Sequence, residues 1–159
     1  MKIRIVSVGK MKEKYWRDAA AEYARRLGRY CSLEQFEVAD ESTPQEPSER
    51  ERELILQKEG ERILRHIPDG SFCIALVIEG RSFSSEAFSD YLKERMDRGG
   101  SDLTFVIGGS LGLSGQVRKR ADLQLSFSEF TFPHQMMRVV LLEQIYRSFR
   151  IMNHEPYHK

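Results

Sequence analysis

Three of the four histidines, His134, His154 and His158, fall near the end of the chain, which closes on Asn153-His154-Glu155-Pro156-Tyr157-His158-Lys159. A segment offering Tyr, His and Lys can stack on a base, hydrogen-bond its edge and neutralise a phosphate. No HxH spacing accompanies these residues, and Cys31 and Cys73 match no zinc pattern, so no metal is expected. Upstream, Gly108-Gly109-Ser110-Leu111-Gly112 is a glycine-rich turn, whose bare backbone lets a ligand approach closely. It is neither GxGxxG nor a phosphate-binding GxxxxGK loop, which disfavours a dinucleotide or nucleoside triphosphate.

The elements that must position these groups alternate between strand and helix. Ile3-Arg4-Ile5-Val6-Ser7-Val8 reads as a strand closed by Gly9, followed by a helix over 13–27 that ends at Gly28. Residues 33–38 alternate as a half-buried strand does, and 40–47 form a loop with two prolines and no apolar residue. Ser48-Glu49-Arg50-Glu51 has capping-box spacing and opens a charged helix to about Ile67. Phe72-Cys73-Ile74-Ala75-Leu76-Val77-Ile78 is a continuous apolar run, which suits a parallel strand covered on both faces. Ser84 or Ser85 can cap a helix to about Arg98, and 103–107 form another buried strand before the glycine turn. A short helix over 116–121, a strand over 123–127 and a last helix over 134–152 complete the series, with Pro133 placed in the last helix's first turn. The fold class is therefore α/β, a mostly parallel sheet flanked by helices.

Ligands of such sheets sit beyond the carboxyl ends of the strands. Here that means the loops at Glu79-Gly80-Arg81, Gly108-Gly109-Ser110 and Ser128-Glu129-Phe130-Thr131-Phe132. The last helix carries eleven apolar residues from Met136 to Met152 and is apolar on two sides. One side is expected to meet its own sheet and the other a second subunit, with Arg138, Glu143 and Arg147 needing partners.

At 159 residues with 40% hydrophobic and 31% charged content, the chain is expected to form one globular domain over 1–159. Its apolar runs are too short to span a bilayer, and no signal peptide is evident, so a reducing cytoplasm is expected. The net charge of +1 hides a polarised chain: residues 1–30 carry nine Lys/Arg against three Asp/Glu, whereas 31–70 carry five against eleven. Basic ends around an acidic middle permit a polyanion-binding face.

Several stretches together carry a resemblance. They are Val8-Gly9-Lys10-Met11-Lys12 with Tyr15-Trp16; Phe105-Val106-Ile107-Gly108-Gly109-Ser110; Leu125-Ser126-Phe127-Ser128 with Thr131-Phe132-Pro133-His134-Gln135-Met136-Met137-Arg138; Glu143-Gln144-Ile145-Tyr146-Arg147; and Pro156-Tyr157-His158-Lys159. In order and spacing they resemble the bacterial 23S rRNA pseudouridine N3-methyltransferases of the SPOUT class, over essentially the whole chain. The resemblance implies a C-terminal deep trefoil knot, a homodimer, and S-adenosyl-L-methionine held in the knot by Leu76, Gly108, Phe127, Ser128, Glu129, Phe130, Thr131 and Phe132. It implies as substrate a pseudouridine in the domain IV stem-loop of 23S rRNA, modified on assembled ribosomes. The pseudouridine N3 must lose a proton for transfer, and Tyr157, His158, Glu143 and His134 are the candidates to assist. The competing expectations are a non-catalytic RNA- or ribosome-binding module of the same shape, and a nucleotide-dependent oxidoreductase lacking its fingerprint.

Overall fold

The structure is a computed structural model that describes residues 1–100 and 102–159. Its elements run β1 (Lys2–Val8), α1 (Lys14–Leu27), β2 (Ser32–Val38), α2 (Glu49–Leu64), β3 (Phe72–Ser82), α3 (Ser85–Asp97), β4 (Asp102–Ile107), α4 (Gly115–Arg120), β5 (Leu123–Ser126) and α5 (His134–Met152). The strands form one parallel sheet in the order β2-β1-β4-β3-β5.

Side chains alternate across the sheet with the period of two that strands impose. Ile3 and Ile5 of β1, Ile74 of β3, and Leu103 and Phe105 of β4 pack with residues of α1, α3 and α5. Val6 and Val8, Cys73 and Ala75, and Val106 pack instead with Ile63 of α2 and Val117 of α4. The apolar strand runs are thus explained by helices on both faces.

Local signals act as expected at most helix starts. Ser48 Oγ accepts from the Glu51 N–H at 3.2 Å and Glu51 Oε1 accepts from the Ser48 N–H at 3.2 Å, closing the capping box. Ser84, rather than Ser85, caps α3 by accepting from the Ala87 N–H at 3.1 Å. Pro133 stands one place outside the expected first turn. It is the N-cap residue, and its carbonyl accepts from the Met137 N–H at 3.0 Å.

The main departure lies in β3, which runs on to Ser82. Its pairing with β5 reaches Leu76↔Leu125 and then resumes at Arg81↔Leu125, so residues 77–80 bulge from the ladder. Ile78 is consequently 44% exposed instead of buried with the rest of its run. Gly80 makes the step possible: a Cβ there would lie 2.7 Å from the backbone of Gln124.

Helix α5 packs against α1 and α3. Leu141, Leu142 and Ile145 are all 0% exposed within the single chain. Arg138, also buried, donates to Gln35 Oε1 at 3.3 Å and to Glu37 Oε1 at 2.7 Å. Met136, Val140 and Ile151 remain half-exposed. These latter residues, and not the inner leucines, form the helix's outer apolar side.

Candidate functional site

Loops leaving the carboxyl ends of β3, β4 and β5 converge on a cleft of about 730 Å³, within the range of small-molecule sites. Residues 76–79, 107–113, 127–128 and 130–134 supply most of its lining, completed by Arg118, Leu125 and Met137. The bulge in β3 shapes one side of this cleft by withdrawing residues 77–80 from the ladder.

The glycine turn shapes another side. Gly112 donates its N–H to the Gly109 carbonyl at 3.1 Å, and the two residues pair as an isolated bridge. Gly108 sits against this turn so closely that a Cβ would lie 2.5 Å from the Gly112 carbonyl oxygen. The turn after β5 is held by its own serines: Ser126 Oγ donates to the Ser128 carbonyl at 3.2 Å, and Phe130 N–H donates to Ser128 Oγ at 3.0 Å. That turn leaves Phe130 77% and Phe132 40% exposed, their rings edge-to-face at 6.4 Å.

Seven of the eight expected cofactor residues line the cleft: Leu76, Gly108, Phe127, Ser128, Phe130, Thr131 and Phe132. Glu129 is exposed and lies outside the lining. Arg118 and Met137 line it without having been expected, Met137 one helical turn beyond His134 and Arg118 on α4. Glu79 and Arg118 form an ion pair at 3.5 Å on the lining, with Glu79 largely exposed. Exposed pairs of this kind contribute little, so both charges are available to a polar ligand.

The four candidates for proton handling separate into two places. His134 lines the cleft and packs against Gly9, and its buried Nε2 has no hydrogen-bond partner among the described residues. Glu143, Tyr157 and His158 lie outside the lining, in a network between α5, the tail and α3. Glu143 Oε1 accepts from the Tyr157 hydroxyl at 3.0 Å, while its carboxylate also takes the Arg147 guanidinium and the Gln144 amide. Burial, reinforced by the hydrogen bond to Glu143, pushes the Tyr157 pKa well up. Tyr157 therefore stays protonated and serves as a donor.

His158 is held from both sides. Arg147 can only donate, so His158 Nδ1 accepts at 3.1 Å and Nε2–H donates to Glu86 at 2.7 Å. This bond is the main cause that holds the Glu86 carboxyl below its usual range. The Tyr157 ring stacks edge-on against Tyr146 at 5.0 Å and beneath the Arg147 guanidinium at 4.7 Å. Arg150 pairs with Glu155 and donates to the Tyr30 hydroxyl at 3.2 Å, fixing the start of the tail. Every residue from Glu155 to His158 except Pro156 thus makes a side-chain bond.

Comparisons with known proteins identify the family and the fold. Proteins named "Ribosomal RNA large subunit methyltransferase H" from Clostridium botulinum and Streptococcus thermophilus are 56% and 54% identical over 159 residues, covering 100% of both chains. A structure described as a probable methylase family protein from Haemophilus influenzae superposes with a TM-score of 0.56 at 14% identity, covering 99% of this chain and 70% of that one. A Legionella pneumophila protein solved with the bound cofactor SAM gives 0.50 at 10% identity, covering 94% and 66%. These two share the fold. The family described as "Predicted SPOUT methyltransferase" matches residues 1–158, and with full-length relatives above half identity the chain belongs to the SPOUT methyltransferases.

Proposed function

We propose that this S-adenosylmethionine-dependent methyltransferase transfers its methyl group to N3 of a pseudouridine in the domain IV stem-loop of 23S rRNA, on the assembled ribosome. The observation that carries the cofactor assignment is the single cleft uniting Leu76, Gly108 and the turn after β5. Large-subunit rRNA as substrate follows the names of relatives 56% and 54% identical along the whole chain.

The cleft suits the cofactor's parts. Leu76, Leu125, Phe127 and Met137 give apolar cover to an adenine, and the backbone at Gly108 and Ser128 can bond its edge without an intervening side chain. Glu79 and Arg118 can meet the ammonium and carboxylate of the methionine part. When bound, S-adenosylmethionine supplies an electrophilic methyl on a sulfonium. The protein's part is chiefly to align the acceptor nitrogen and exclude competing water. Of the four candidates to accept the N3 proton, His134 is the one that lines the cleft. Lys10 and Lys12, exposed just before α1 and without ion pairs among the described residues, offer charge to RNA phosphates. In this reading residues 1–159 act as one cytoplasmic domain, and the chain beyond β5 closes the family's trefoil knot.

The same proposal includes a homodimer built on α5, whose outer apolar side at Met136, Val140 and Ile151 is only partly covered in the single chain. Val140→Asp should shift sedimentation from dimer to monomer at micromolar concentration while the far-ultraviolet spectrum persists. A dimer of unchanged affinity would remove α5 from the interface. Leu142 and Ile145 cannot report on assembly, because truncating such buried residues costs about 2–5 kcal/mol of the fold itself.

The test of substrate is mass spectrometry of 23S rRNA from cells lacking the gene. A missing methyl on one pseudouridine, restored by the wild-type gene, is the expected result. Its persistence, or loss at another nucleotide, would overturn the assignment.

A further inference from the structure

Glu59 lies in the most charged helix of the chain, yet it is only 3% exposed. Its Oε2 accepts the Glu41 N–H at 2.9 Å, while its buried Oε1 has no hydrogen-bond partner among the described residues. A buried carboxyl with an unused oxygen is costly. The cost is spent beside the cofactor cleft. A Cβ added to Gly109 would lie 3.1 Å from Glu59 Oε1, so the carboxyl sits directly behind the glycine turn.

The same carboxyl reaches a second loop. Residues 40–47 contain no apolar side chain with which to anchor themselves. They are held at the Glu41 N–H by Glu59, at the Glu41 carboxylate by Arg62, and at Thr43 by a hydroxyl contact of 3.2 Å to Ser110 of the glycine turn. Arg62 also donates to the Ala39 carbonyl at 2.8 Å. The loop therefore leans on the glycine turn from outside, and Glu59 touches both.

We propose that Glu59 is the positioning residue of the cofactor turn, a carboxyl wedged between Gly109 and the backbone of Glu41 that holds the turn and the 40–47 loop as one unit. It makes no contact with the ligand and acts through Gly109. Burial, the largest influence on it, together with the nearby carboxylates of Asp40 and Glu41, raises its pKa, opposed by the Glu41 N–H and Arg62. A neutral or weakly ionised carboxyl is thus easier to keep here, and glutamine is its closest replacement.

This role rests on the S-adenosylmethionine assignment above. The test measures S-adenosylmethionine affinity by calorimetry and the kinetic constants of methylation for Glu59→Ala, Glu59→Asp and Glu59→Gln. Alanine and the shorter aspartate should raise Kd and KM for S-adenosylmethionine by about tenfold, as expected when a buried N–H loses its partner. The kcat at saturating cofactor and the KM for ribosomes should stay near wild type, and glutamine should retain most of the affinity. If alanine does not fold, aspartate, which keeps the carboxyl group but withdraws it from Gly109, carries the test. Unchanged cofactor affinity in the folded variants would overturn the proposal. So would a loss in Glu59→Gln equal to that in the others, or a fall in melting temperature with no change in KM. Wild-type protein that binds no S-adenosylmethionine would instead sink the cofactor assignment, and the role given to Glu59 with it.

Discussion

Deleting residues 156–159 should leave S-adenosylmethionine affinity within about twofold of wild type while methylation of ribosomes falls by about a hundredfold or more, the scale on which lost alignment acts. No tail residue lines the cleft, so the cofactor has no direct stake in it. The tail nevertheless is no frayed end. Tyr157 is bonded to Glu143, His158 bridges Arg147 and Glu86, and the Tyr157 ring rests on Tyr146. Cutting it away leaves the Glu143–Arg147 pair intact, so α5 and the fold should survive. Calorimetry with S-adenosylmethionine and transfer of a labelled methyl to ribosomes measure the two quantities separately. Full activity after deletion would reduce the tail to packing. Tyr157→Phe sharpens the same experiment, because it keeps the ring in place and removes only a hydroxyl that stays protonated and donating.

Gly108→Val should bind no S-adenosylmethionine detectable by calorimetry, and Gly108→Ala should already do most of the damage. The sequence alone suggests that a larger side chain fills space the ligand needs. The structure places the conflict one step earlier, within the protein. A Cβ at this position would lie 2.5 Å from the Gly112 carbonyl oxygen and 2.7 Å from its carbon. Backbone at that distance must move, and the Gly109–Gly112 bridge would open with it. The first carbon therefore matters more than the two that follow. Circular dichroism would show whether the sheet persists, and near-normal binding by the alanine variant would disprove this account of the turn.

Much of the architecture was readable because its determinants are local. The alternation over residues 33–38, the Ser48–Glu51 box and the serine before α3 each act within a few residues, and each is found in place. The motif-based assignment brought Leu76, Gly108 and the turn after β5 to one cleft, since parallel strands deliver their loops to the same edge. What escaped notice depends on distant partners. The bulge at residues 77–80 is set by β5, some forty positions away, so Ile78 reads as part of a buried run. Glu59 reads as one more solvated charge on α2, because nothing nearby in sequence announces Gly109 behind it. Glu129 sits inside a motif yet faces no cleft, and Glu143 looks like a base until Arg147, Gln144 and Tyr157 are seen to engage both its oxygens. The two apolar sides of α5 were visible, but which side held the chain's own core was not.

The strand order carries a further consequence, for the birth of the protein. β1, made before the other strands, sits inside the sheet between β2 and β4, with Lys2 beside Asp102 and Ile5 beside Phe105. Such pairings close very long loops, and chains rich in them fold slowly. While the ribosome is still making residues 40–100, the inner edge of β1 has no neighbour and its isoleucines have only part of their cover. β5 and α5 emerge last, and with them two of the walls of the cleft. A nascent chain therefore gains its site only once β5 and the start of α5 have been made. An unfinished chain would expose an unpaired strand edge of Ile3-Arg4-Ile5-Val6, a surface that invites aggregation or a chaperone.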